Sequence, residues 1–190
     1  MPDLTQEEAA FAWALQDVRD WLDLKMRAGR YATGFAVELA AHMIARHYSV
    51  HAIYDEIGIL EGADTRRSST KPAEAFKRPP LVGLWHKHHH QAQFLLKNLR
   101  QELYRPGTVE AACAPHIGRT VEEVAGSIAY DLVIGAYTRR AAESRVTGEF
   151  IVYEPGPDGA NLYLTLGSHG DYAAIRSRVD AYKAFDQSEG

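Results

Sequence analysis

At Gly148 the sequence changes period. Upstream, apolar residues recur at steps of three and four, the spacing of helix faces. Downstream, Phe150-Ile151-Val152-Tyr153 and Leu162-Tyr163-Leu164-Thr165-Leu166 are short runs rich in β-branched and aromatic residues. Pro155-Gly156-Pro157-Asp158-Gly159 between them is turn chemistry, so the two runs are expected to form an antiparallel hairpin. Asp171 can cap a final helix on which Tyr172, Ile175, Val179 and Tyr182 share a face. The expected fold class is α+β: a mostly helical N-terminal two-thirds, then a C-terminal β-hairpin and a last helix, with a small sheet possible. At 190 residues the chain suits one domain, with a helical part over 1–60, a polar basic loop over 61–80, helices over 81–146 and the β-β-α unit over 147–190.

The upstream pattern divides at its capping signals. Thr5 and Glu8 have the spacing of a capping box, followed by the stripe Phe11, Leu15, Val18, Leu22 and Met26. Trp13 and Trp21 lie off that stripe and are candidates for a partner surface. A second helix is expected from about Gly34 to Tyr48, and Ser49 can cap a third carrying Val50, Ile53, Tyr54 and Ile57. Residues 61–75 read as a polar loop, and Pro79-Pro80 forces extended backbone into Leu81–Trp85. From His86 the spacing predicts a helix with Phe94, Leu95 and Leu99 inward, stopped by Pro106-Gly107. Thr120 and Glu123 make a second capping box, before a helix using Val121, Val124, Ile128, Leu132 and Gly135-Ala136.

Several classes of chemistry lack their motifs. Cys113 is the single cysteine, so no intramolecular disulfide forms and no C-x-x-C metal site exists. There is no Walker-type phosphate loop, no G-x-G-x-x-G and no G-x-S-x-G. The N-terminal residues are acidic rather than basic, and no apolar run reaches the ~20 residues of a membrane span. A cytoplasmic protein with no membrane association is the expectation. His47 with His51, and His86 with His89 and His90, have helical spacings that a metal could use, which leaves a helical metal-binding protein as one alternative. The leading reading uses neither metal nor cofactor.

Charge is unevenly distributed. The chain carries −4 overall, yet between Asp64 and Arg105 nine Lys and Arg face three acidic residues, a local +6. Four histidines, His86, His88, His89 and His90, lie in the same stretch. Such a stretch can be an electrostatic footprint for a polyanion, and Arg66, Arg67, Lys71, Lys77, Arg78, Lys87, His86 and His88 are the candidate RNA-binding residues. On the hairpin, strict alternation puts Leu162, Leu164 and Leu166 on one face and Tyr163 and Thr165 on the other, where Glu149 or Tyr153 can join them. His169 follows the second strand, at the mouth of the last helix. Metal-free RNA cleavage needs one group to take the 2′-hydroxyl proton, one to protonate the leaving oxygen, and cations to hold the phosphorane. His169, Glu149, Tyr163, Thr165 and Tyr153 are the candidate catalytic residues.

The proline-preceded basic run from Phe76 to His88 and the hairpin from Gly148 to Asp171 resemble an uncharacterised bacterial or phage family whose end is similar to barnase, EndoU, colicin and RelE-like ribonuclease toxins. The resemblance implies a small sheet that presents a histidine and polar residues to RNA without metal. By position in the hairpin it carries over to His169, Tyr163 and Thr165. It needs more than two strands, and Leu81–Trp85 is the candidate third. The implied activity is an endoribonuclease of toxin or phage-defence type, with RNA as substrate and a cognate inhibitor protein or a second copy as partner. The alternative is a non-catalytic interaction protein such as an antitoxin, immunity or phage accessory factor.

Overall fold

Both capping boxes form. In the computed structural model, which describes residues 5–46, 48–146, 148–156 and 159–189, the Thr5 amide donates to Glu8 Oε2 at 2.8 Å and the Glu8 amide donates to Thr5 Oγ1 at 3.2 Å. Such a cap is worth about 1 kcal/mol. It opens α1 (Gln6–Lys25), whose stripe buries Ala14, Val18 and Leu22. Trp21 stacks on Tyr54 with centroids 5.8 Å apart, whereas Trp13 stays 67% exposed. Helix α2 (Thr33–Ala45) buries Phe35, Ala36, Leu39 and Ala40, and α3 (Val50–Leu60) buries Ile53, Tyr54 and Ile57. The second helix ends at Ala45 because Arg46 turns left-handed, at φ 52°. His47 of the His47/His51 pair lies outside the described residues.

Among the described residues the sheet has five strands, which confirms the α+β class. They are β1 (Arg30–Tyr31), β2 (Glu74–Ala75), β3 (Trp85–His89), β4 (Glu149–Pro155) and β5 (Asn161–Gly167), in the order β1-β5-β4-β3-β2. Strand β1 runs parallel to β5 and the other pairings are antiparallel. The β4–β5 hairpin is the one read from the sequence. Strand β3 is a correction: the histidine run is not the start of a helix. Its residues pair with β4 in register, His86 with Val152 and His88 with Phe150. The third strand thus lies four residues later than Leu81–Trp85, and helix resumes with a 3-10 turn (Ala92–Phe94) that runs into α4 (Leu95–Leu103).

Helices cover the sheet. Phe35 of α2 stacks on Tyr163 at 6.2 Å, and Glu56 of α3 meets Lys87 of β3 at 3.0 Å. The last helix, α8 (Tyr172–Glu189), packs on β5 and buries Ile175 and Val179 completely. Each large side chain so buried contributes roughly 1.5–3 kcal/mol. Gly148 is required where the chain enters β4, since a Cβ there would lie 1.9 Å from the His89 carbonyl oxygen.

Between β3 and β4 the chain makes a helical excursion through α4, α5 (Thr108–Cys113), α6 (Val121–Tyr130), a π turn (Asp131–Gly135) and α7 (Ala136–Ala142). Part of its interior is polar, beside the buried Ala112, Val124 and Ala136. Asn98 and Glu102 are buried, and Arg140 donates to Asn98 Oδ1 at 3.0 Å while Arg145 pairs with Glu102 at 2.9 Å. Leu95, expected inward, is 44% exposed because α4 turns its polar face to these arginines.

Candidate active site

The β5–α8 turn brings His169 to the histidines of β3. Alternation along β3 puts His86 and His88 on one face and Lys87 on the other. The His88 and His169 rings stand 5.5 Å apart, as do those of His86 and His88. Phe150 of β4 floors the group, 5.2 Å from His86, 5.8 Å from His88 and 5.3 Å from His169. Phe76 closes the side at 4.6 Å from His86 and lies 6.0 Å from Tyr172. The result is an open pocket of about 320 Å³ lined by His86, His169, Phe150, Phe76 and Tyr172, with Glu74, Lys77 and Arg78 among its charged residues.

The histidines differ electrostatically. Burial lowers the His88 pKa to about 4, and its Nδ1 lies 3.1 Å from the Gly148 carbonyl, so His88 is a neutral spacer near pH 7. His86 is lowered by burial but pulled back up by the Glu74 carboxylate and a hydrogen bond to the Glu74 backbone. His169 is lowered by partial burial and further by Lys97 of α4 and by Lys71. Lys71 lowers both imidazoles, Lys97 acts on His169 alone, and a carboxylate stands beside His86 alone. That asymmetry suits one proton donor and one proton acceptor.

The remaining basic residues separate into three groups. Lys71, Lys77 and Arg78 are exposed, with Lys77 and Arg78 in the pocket wall and Lys71 close enough to act on His86 and His169. Arg66 pairs with Asp55 and Asp64, and Arg67 donates to Ser144 at 3.2 Å; neither lines the pocket. Lys87 corrects the expectation of a phosphate clamp. Its side chain is 4% exposed and its ammonium donates to Ser68 Oγ, Thr70 Oγ1 and the Lys71 carbonyl beside the Glu56 ion pair. A lysine so enclosed cannot reach an RNA backbone.

The expected polar face of Tyr163 and Thr165 is also corrected. The β4–β5 register shifts between Val152 and Tyr153, so Tyr153 faces Tyr163 while Val152 faces Thr165. This bulge leaves Leu164 unpaired and sends Leu162 and Leu166 to opposite faces. Tyr163 and Thr165 are fully buried. Tyr163 donates to Glu61 at 2.8 Å, and Thr165 donates to Glu38 at 2.8 Å. Tyr153 is 4% exposed and its pKa is pushed up to about 12 by burial. Glu149 opens instead into a neighbouring pocket with Tyr48, Glu38, His42 and Arg178.

Glu74, Phe76 and Tyr172 were not singled out from the sequence as site residues. The spacing of two between His86 and His88 was the available signal for a strand face. Among the described residues, no group of three or more His, Cys, Asp or Glu is placed to hold a metal, and no helix is long and apolar enough to cross a membrane. No family model, curated protein or solved structure matches this chain.

Proposed function

We propose that the chain is a metal-independent endoribonuclease whose active site is the pocket between β3 and the β5–α8 turn. The observation that carries this reading is the convergence of His86 and His169 in an open pocket lined by Lys77 and Arg78, with Lys71 close enough to act on both imidazoles. Histidine transfers protons near neutral pH, and the cations match a phosphodiester. His169, held below the ordinary histidine value by partial burial and then by Lys97 and Lys71, takes the proton from the 2′-hydroxyl as its oxygen attacks phosphorus. His86, whose charged form Glu74 favours, gives a proton to the departing 5′-oxygen as the P–O5′ bond breaks. The products are a 2′,3′-cyclic phosphate and a 5′-hydroxyl, so atoms and charge balance without a further reactant. The neutral His88 ring lies 5.5 Å from each of the two imidazoles. Tyr172 and Phe76 offer aromatic faces to a base.

The test is RNA incubated with purified protein in excess chelator. Wild type yields discrete fragments, and His169→Ala cleaves at least ~10²-fold more slowly while retaining RNA binding. Equal cleavage by both proteins contradicts the assignment.

A second reading has its own observation. The helical excursion exposes Leu96 at 77%, Tyr104 at 78%, Ile117 at 85% and Val121 at 73%, which suits a protein partner. A cognate inhibitor seated there would lie on the element that carries Lys97 towards His169. On that reading alone the protein is an interaction factor that does not cleave RNA.

A further inference from the structure

From the Thr120 cap to Ala142 the excursion runs as one helical rod, α6, the π turn and α7 following without a break. The rod is on the order of 30 Å long. The rest of the chain uses one side of it. Val124, Ala136 and Arg140 are buried, and Arg140 donates to Asn98 at 3.0 Å and to Gln101 at 2.6 Å. Among the described residues α7 packs on α4, whereas α6 has extensive contact only with the π turn that continues it.

The other side is bare. Ala125, Gly126, Ala129, Tyr130, Val133 and Ile134 are exposed, Tyr130 at 62%. They fall in two adjacent rows at steps of four, Ala125-Ala129-Val133 and Gly126-Tyr130-Ile134, the spacing of one helix face. A helix face that meets water carries charged and polar residues. Between Glu123 and Arg139 this one exposes no charge; Asp131 is half-buried. Gly126 is a further sign of a missing neighbour. A glycine weakens an exposed helix relative to alanine, yet a Cβ at Gly126 would have no neighbouring atom within 4 Å. Nothing in the monomer requires the close approach that glycine permits.

Two gradients run along the face. Side chains are small in its first half, at Ala125, Gly126 and Ala129, and large in its second, at Tyr130, Val133 and Ile134. Charge is negative before it, at Glu122 and Glu123, and positive after it, at Arg139. An antiparallel two-fold near Tyr130 satisfies both together. It sets Gly126 of one copy opposite Ile134 of the other, and brings Glu122 towards Arg139. The helix dipoles then also oppose. A two-fold interface must be self-complementary in this sense. An RNA strand finds no cation on the face, and an unrelated protein requires neither gradient.

We propose that this face docks a second copy of the chain, rod against rod and antiparallel, to form a two-fold dimer. The inference is independent of the ribonuclease reading. One helix pair buries less than the ~800 Å² per partner of a standard interface, so the dissociation constant is on the order of 10 μM.

The experiment is sedimentation velocity on the full chain over a concentration series that spans that value. Wild type passes from monomer to dimer. Gly126→Gln fills the gap opposite Ile134 and weakens the dimer at least ~10-fold, while helix content by circular dichroism is kept or raised. Glu122→Arg and Arg139→Glu each weaken it by roughly 5-fold, and the two together restore it, since the swap re-pairs the charges. A monomer at every concentration overturns the proposal. A dimer indifferent to Gly126→Gln overturns the assignment to this face. A dimer that Gly126→Gln breaks but the double charge swap does not restore overturns the antiparallel arrangement. Should either charge variant fail to fold, Gly126→Gln alone decides, because its side chain meets open space in the monomer.

Discussion

His88 and His169 come from the third strand and from the turn before the last helix, and their rings stand 5.5 Å apart. The contact exists because β3 pairs with β4, β4 with β5, and β5 delivers the turn. Two segments distant in sequence therefore share one pocket, and the account of function depends on that closure.

The first prediction concerns pH. Both His86 and His169 are held below the ordinary histidine value, chiefly by burial. Cleavage needs His169 neutral and His86 protonated. Activity falls on the acid side as His169 gains a proton and on the alkaline side as His86 loses one. Because both groups titrate below about 6.5, the profile of kcat/KM is a bell with its maximum on the acid side of that value. Adding salt screens Lys71 and Lys97 and moves the acid limb up. Initial rates from pH 4 to 9 check this, and a maximum above pH 7.5 contradicts the assignment.

The second concerns which cations meet RNA. Lys77 and Arg78 line the pocket, whereas Arg66 is occupied by Asp55 and Asp64. Lys77→Glu with Arg78→Glu lowers affinity and reduces the slope of log K against log salt by roughly 1–2. Arg66→Gln leaves the slope unchanged. Fluorescence anisotropy with labelled RNA over a salt series separates the two, and equal effects contradict the division.

A third prediction addresses stability. Lys87 and Glu56 form a buried pair 3.0 Å apart, with Ser68 and Thr70 satisfying the ammonium. Lys87→Met leaves Glu56 buried without its cation and costs about 3–5 kcal/mol. Adding Glu56→Gln recovers part of the loss, since the amide tolerates burial without a counter-charge. Urea unfolding of the single and double variants measures the coupling; additive losses contradict it.

Local signals were legible in the sequence and cross-strand ones were not. Thr5 with Glu8, and Thr120 with Glu123, form the capping boxes their spacing implied, because a cap involves only its own first turn. Ile175 and Val179 face inward as their spacing of four required. Trp85–His89 carries no strand signal because a strand of histidine and lysine lacks apolar alternation. It is held by contacts with Phe76, ten residues upstream of His86, and with Phe150 and Glu56, which are remote in sequence. Strict alternation predicts Tyr163 and Thr165 on one polar face; the bulge at Leu164 parts them, and Glu61 and Glu38 satisfy them inside. Asn98 and Glu102 face inward on α4 because their arginine partners arrive from α7 and the segment after it. His169 was recognisable as a candidate, but its partner His86 became so only once β3 was a strand.

The most direct measurement is the chemistry of the cut end. Wild type, His86→Ala and His169→Ala are each incubated with a short RNA in excess chelator, and the products are followed by phosphorus NMR. The account predicts a 2′,3′-cyclic phosphate signal from wild type and its loss, by ~10²-fold or more, in either variant. A 5′-phosphate end, or undiminished cyclic phosphate from both variants, contradicts the two-histidine site.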